Sequence, residues 1–194
     1  MDIQKLKEQL IADEGKVNFV YSDADGNPTW PGRKIFIAGK LEKDGNPTFG
    51  IGHKLTPKDL EWHAFKMLQP GGTLSISDER IEEVFKKDYE SAIFQCCKVF
   101  PDFDRILEEL QLILVNMMFN LGAINFSEFY KFILAVKTGN YINAASEMRD
   151  SKWWRDHATH TRAEKLRKRM MRLSICRFTN LTECQNVISE RAIT

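Results

Sequence analysis

Glycine and proline crowd into one stretch of this chain and thin out elsewhere. Between residues 23 and 53 they occur as Gly26, Pro28, Pro31, Gly32, Gly39, Gly45, Pro47, Gly50 and Gly52. Glycine favours left-handed turns and proline lacks a backbone donor, so neither a helix nor a long strand survives at this density. Only short strands joined by turns remain. Two apolar pieces, "IFIAG" and "TFGIG", together with the alternating "KVNFVYSD" before them, predict a small antiparallel sheet.

On either side of this stretch the period changes to that of a helix. In "IQKLKEQLIAD" the residues Ile3, Leu6, Leu10 and Ile11 share one face, and Gly15 is placed to end the helix. After Thr56, "TPKDLEWHAFKML" starts with an N-cap residue and a proline, which predicts a helix. "SDERIEEVFKKDYESAIFQCCKVF" opens with Ser77, places Arg80 three residues on, and spaces Ile81, Val84, Phe85 and Ile93 at helical period. "RILEELQLILVNMMFNLG" is apolar almost all round, the pattern of a buried central helix closed by Gly122. "SEFYKFILAVKTG", "YINAASEMRDS" and "TRAEKLRKRMMRLSICRF" add three more. Short strands first and helices afterwards predict an α+β protein with a small sheet lobe and a larger helical lobe.

The bulk numbers exclude more than they assign. A chain of 194 residues, 43% hydrophobic and 28% charged, can bury one core. Its net charge of +1 gives no general attraction to nucleic acid or membrane. No uninterrupted apolar run reaches the roughly 18–20 residues of a membrane span, so stable membrane insertion is not expected. The start, "MDIQKLKEQL", lacks the apolar core of an export signal, and synthesis in the cytoplasm is expected. Cys96, Cys97, Cys176 and Cys184 make no disulfide framework and are expected to be buried, reduced thiols.

A ligand cleft is expected where a sheet lobe meets a helical lobe. Glu14 falls at the end of the first helix and Asp23 at the end of the first strand. Two carboxylates on rigid elements across a cleft are what glycoside hydrolysis requires, one to protonate the leaving oxygen and one on the opposite side of the sugar. The chain has 27 acids, so this pair alone is weak evidence.

The surrounding residues add a resemblance. "LIADEGKVNFVYSDADG" and "TFGIGHKLT" resemble the T-even phage lysozymes of glycoside hydrolase family 24, whose motif runs E-x8-D-x5-T-x-G-x-G-H. "ISDERIEEVFKKD", "VNMMFNLG", "AASEMRDSKWW" and "TRAEKLRKR" extend it over roughly residues 3–173. The resemblance implies a single lysozyme-like domain over 1–194. Its parts would be an N-terminal helix (1–13), a sheet lobe (14–56), a helical lobe (57–175) and a C-terminal extension (176–194). It implies a muramidase that cuts the β-1,4 bond between N-acetylmuramic acid and N-acetylglucosamine with inversion and without cofactor or metal. Glu14 would be the general acid, Asp23 the opposing carboxylate, and a threonine would position the attacking water. His53 and Asp88 would form a structural pair, and Phe119 would line the sugar site. Glu147 stands where the family has a sugar-contacting amide.

The chain departs from the motif between Asp23 and His53. The pentapeptide "DGNPT" occurs at 25–29 and again at 44–48. Thr29 has the family's distance from Asp23 but is followed by "WPG"; Thr48 is followed by "FGIGH" but lies about nineteen residues too far along. Glycines against a site need fixed geometry while a hairpin tip tolerates insertion, which favours Thr48 for the site. An inserted hairpin at about 28–46, beginning at Thr29, would then extend the sheet. Asp25, two residues from Asp23, competes with it on the same side of the strand, and Asp44 becomes a third nearby acid.

Bacterial peptidoglycan is the expected partner of a monomer that reaches the periplasmic wall through a pore or a secretion machine. A lytic transglycosylase would need the glutamate but neither Asp23 nor the threonine. A non-catalytic wall-binding or nucleic-acid-binding protein would rest on the basic run "RAEKLRKRMMR", which reads more simply as a solvated face over Leu166, Met170 and Leu173. Trp153 and Trp154, at a helix start, are expected in the core.

Overall fold

A computed structural model describes residues 1–37, 40–43 and 45–176. Its first element is helix α1 (Ile3–Glu14), in which Leu6 and Leu10 are fully buried while Ile3 is 40% exposed. The buried stripe is thus narrower than the four-residue face predicted. Gly15 ends the helix with φ of +75° and donates its N–H to Ile11 O at 2.8 Å.

Five short strands follow among the described residues: β1 (Val17–Ser22), β2 (Lys34–Ile37), β3 (Lys40–Lys43), β4 (Pro47–Gly50) and β5 (His53–Lys54). β1, β4 and β5 form an antiparallel sheet in that order. Along one edge of β1, Tyr21 pairs with Thr48 and Ser22 with Pro47; along the other, Tyr21 bridges Pro28 and Phe19 bridges Ser75. The two "DGNPT" copies therefore bracket the end of β1 from opposite sides.

A hairpin lies where the insertion is expected, but among the described residues it does not extend this sheet. Among the described residues β2 and β3 pair only with each other, from Lys34–Lys43 to Ile37–Lys40, as a separate two-stranded ladder. The edges are already taken, since β1 lies between β4 and the Pro28 and Ser75 segments, and β4 lies between β1 and β5. Thr29 is not part of the hairpin ladder. It is fully buried, and its N–H donates to Val20 O at 3.2 Å. Asp44 lies outside the described residues, as do 177–194 of the C-terminal extension with Cys184.

The helix predicted from Thr56 is also corrected. The Asp59 carboxylate takes the N–H and the hydroxyl of Thr56 at 2.7 and 2.8 Å, and Asp59 N–H returns to Thr56 O at 3.0 Å. These bonds close a turn, and helix α2 spans only Trp62–Lys66. Ser77, by contrast, caps α3 (Asp78–Val99), accepting Arg80 N–H at 3.3 Å. Cys96 is buried in α3 and Cys97 is exposed. Neighbouring residues on a helix point about 100° apart, and on α3, which is covered along one face, Cys97 falls on the exposed side.

The remaining α-helices among the described residues are α4 (Glu108–Ser127), α5 (Tyr130–Lys137), α6 (Tyr141–Arg149), α7 (Lys152–Arg155) and α8 (His160–Cys176). α4 is interrupted at Gly122, whose φ of +72° and ψ of 162° break the helix before it resumes. Its length and hydropathy would suit a membrane span, but 56% of that window is buried, as in the core helix of a globular unit.

The chain divides into two compact units. One lies within Lys7–Glu90 and holds the sheet, α2 and the start of α3; the other comprises Met1–Leu6 and the described residues from Ser91 onward. The sheet unit buries Leu10, Val20, Phe49, Ile51, Phe65, Ile81 and Phe85. The helical unit is centred on α4, where Leu112 to Val115 are 0% exposed. Edge-to-face contacts run from Phe100 through Phe126, Phe132 and Phe129 to Trp153. In α8, Ala163, Leu166, Met170 and Leu173 form the buried stripe beneath exposed Lys165, Lys168 and Arg172.

Candidate active site

Glu14 is the last residue of α1, and its carboxylate rests against Gly52 in the turn between β4 and β5. A Cβ built on Gly52 would lie 2.9 Å from Glu14 Oε2 and 3.0 Å from its Cδ. Gly50 and Gly52 have φ of +63° and +71°, so this three-residue turn needs glycine twice for its backbone. At Gly52 the carboxylate needs the empty space as well.

Asp23 continues β1 just beyond its last residue, and the second "DGNPT" copy holds it. Asn46 donates its backbone N–H to Asp23 Oδ1 at 2.7 Å and its amide to Oδ2 at 2.9 Å. In return Asp23 N–H donates to Asn46 O at 3.1 Å. Lys54 Nζ stands 3.8 Å from Asp23 Oδ2. Gly45 is packed against the same corner. A Cβ there would sit 2.3 Å from Asp23 Oδ1 and 2.6 Å from Ala24 N, and the buried Ser22 hydroxyl accepts Gly45 N–H at 3.0 Å. Thr48 belongs to the same assembly: its hydroxyl donates to Asn46 O at 3.1 Å, and the residue is 3% exposed.

Asp25 has another partner. Arg33 clasps it through both guanidinium nitrogens, one contact being 3.0 Å. That hydrogen bond, with the Asn27 N–H in support, holds the carboxyl far below the usual range. Of the two aspartates, Asp25 is thus engaged by an arginine of its own loop and Asp23 by an asparagine of the other copy.

Tyr21 adds a hydroxyl that sequence reasoning did not single out. Burial raises its pKa, and the negative charges of Glu14 and then Asp23 raise it further, so the side chain lies in the field of both carboxylates. It stays a neutral donor at neutral pH. Being two residues before Asp23 on an extended strand is the signal that places it on the same side.

His53 and Asp88 meet, with Nδ1 to Oδ2 at 2.7 Å. A second carboxylate, Asp59, reaches His53 Nε2 at 3.2 Å. Burial opposes the charge on His53, but Asp88 and then Asp59 outweigh it and raise the imidazole pKa. Asp59 is also perturbed: burial opposes its charge, and the Thr56 and His53 bonds lower its pKa. The pattern Thr56-x-x-Asp59, of the kind that caps helices, was the available signal for Asp59.

In the helical unit, Phe119 is half-buried on α4. Trp153 is buried and Trp154 half-buried; their indole N–H groups donate to Asn120 at 2.8 Å and Glu164 at 2.9 Å. Glu147 and Trp153 line a cavity of about 570 Å³ whose walls also include Phe129, Tyr130 and Asp156.

No family model matches the chain. Over 164 residues it is 27% identical to a Dictyostelium discoideum protein described as "Probable T4-type lysozyme 2", a match that covers 78% of this chain and 85% of that protein. The likeness spans most of both chains at modest identity and supports a distant kinship with lysozymes.

Proposed function

We propose that the protein is a peptidoglycan hydrolase, a muramidase that cleaves the β-1,4 bond between N-acetylmuramic acid and N-acetylglucosamine with inversion. The observation that carries this reading is the assembly around Asn46. One side chain and its backbone join Asp23 to Thr48, beside the strand turn on which Glu14 rests. Glu14 gives its proton to the leaving oxygen. Asp23 stabilises the positive charge that develops on the sugar ring and directs the attacking water. The Thr48 hydroxyl donates to Asn46 O, which leaves its own oxygen lone pairs to accept from that water. The distant kinship with a T4-type lysozyme supports the same reading.

Glu14→Gln keeps the shape of the acid and removes its proton. Clearing of purified bacterial walls should fall by about 10²–10⁴-fold, the usual worth of a general acid. Mass analysis of wild-type digests should find hydrated reducing ends. Anhydromuramic ends would instead identify a lytic transglycosylase, and undiminished clearing by Glu14→Gln would remove Glu14 from the chemistry. Proton NMR of the first-formed product should read the inverted anomer.

A further inference from the structure

The turn that seats Glu14 is held by little backbone. β5 has only two residues, and its ladder to β4 consists of the pairs Thr48–Lys54 and Phe49–His53. The side chain of His53 supplies the rest. Its Nδ1 meets Asp88 Oδ2 of α3 at 2.7 Å, its Nε2 meets Asp59 Oδ1 at 3.2 Å, and the Phe49 ring packs edge-on at 5.0 Å. All three polar side chains are largely covered, at 18% exposed for His53, 13% for Asp59 and 31% for Asp88. The second oxygen of Asp59 accepts both the N–H and the hydroxyl of Thr56, three residues beyond His53. A short loop of chain is thereby tied back to the histidine at its head.

A neutral imidazole has one N–H to give, so only the imidazolium donates to both carboxylates. The charged groups acting on it are Asp88 from α3 and Asp59 from the turn after β5. Partly buried pairs of this kind are screened by salt much less than surface pairs.

We propose that Asp59 is a positioning residue for the reaction: holding His53 as an imidazolium against Asp88, it fixes the Gly50–Gly52 turn and with it the seat of the Glu14 carboxylate. The catalytic part of this inference rests on Glu14 being the acid. When His53 loses its proton, one of its two bonds is lost and the turn is held from one side only. Turnover then falls as pH rises through the titration of His53.

The test is Asp59→Asn in the full chain, which removes the charge at constant size, with Thr56→Val as a milder second variant. NMR titration should find the His53 midpoint lowered by about one unit in Asp59→Asn, the scale expected when an opposite charge within 4–6 Å is removed. The alkaline limb of kcat should move the same distance toward lower pH while KM stays near wild type. Thr56→Val should move both in the same direction by less, and it carries the test alone if Asp59→Asn fails to fold. An unchanged midpoint, or a lowered midpoint with the kcat profile in its wild-type place, overturns the proposal. Should the wild type cleave no peptidoglycan, the muramidase reading fails by itself. The clamp is then decided by the Gly52 amide resonance, which must follow the His53 titration and move with it in the variants; an amide that ignores the titration overturns the clamp.

Discussion

Thr29 and Thr48 end identical pentapeptides, yet their surroundings give them different work. Thr29 is wholly buried on one edge of β1, with its N–H on Val20 O. Thr48 pairs with Tyr21 on the other edge and ties its hydroxyl to the asparagine that holds Asp23. Thr48→Ala should therefore lower wall-clearing activity by up to about 10²-fold, the penalty for a misplaced reacting group. Thr29→Ala should keep specific activity and lower stability by roughly 0.5–3 kcal/mol, the usual range for a buried substitution. Paired turbidity assays and denaturant melts read the two effects separately. At this scale the local pattern was enough to place Glu14 at a helix end and Asp23 just past a strand, whereas the roles proposed for them come from the family resemblance. Asn46, Tyr21 and Asp59 were not singled out. Asn46 reaches Asp23 across 23 residues of chain, a contact that no periodicity records.

Two helix-start signals, at Thr56 and at Ser77, led to different elements. At Ser77 the following residues are acidic, then apolar at helical spacing, and the cap leads into a long α3. At Thr56 one oxygen of Asp59 takes the Thr56 N–H and hydroxyl while the other points at His53, and helix α2 starts only at Trp62. The local letters allow either outcome, and a tertiary partner decides between them. Ser77→Ala should cost about 1 kcal/mol, typical of a lost N-cap. In a chain of this size that is a fall in melting temperature of about 2–4 °C, measurable by calorimetry. The strands behave likewise. "IFIAG" and "TFGIG" announced strands, but their hydrophobic alternation did not reveal that both edges of β1 would be occupied before the hairpin reached them.

For the whole molecule, the α+β class was legible because glycine and proline are confined so sharply, whereas the border between compact units was not, since α1 and α3 each run through it. Titration acts at this scale too. The pKa values of Asp25, Asp59 and Glu164 are lowered, that of Glu164 to about 2, where Arg167 clasps it at 2.7 and 2.8 Å. Their stabilisation is present above the ordinary carboxylate range and is lost as pH falls through the lowered values. His53 is raised, so its contribution is complete below about 6.5 and is lost as pH rises through the folded value. Melting temperature against pH should therefore decline on both sides. Asp25→Asn should remove part of the acid limb and leave the alkaline limb alone.

The doubled "DGNPT" also bears on how the chain finds its fold. Two identical segments, 19 positions apart, each bring a proline to the same end of β1, Pro28 in an isolated bridge and Pro47 as the first residue of β4. Identical letters give each copy the same pairing groups for either edge of β1, so the repeat by itself does not favour one arrangement over the other. The letters within the repeat cannot break the tie; the glycines at 50 and 52 do, because only the second copy is followed by a turn that can fold β5 back beside it.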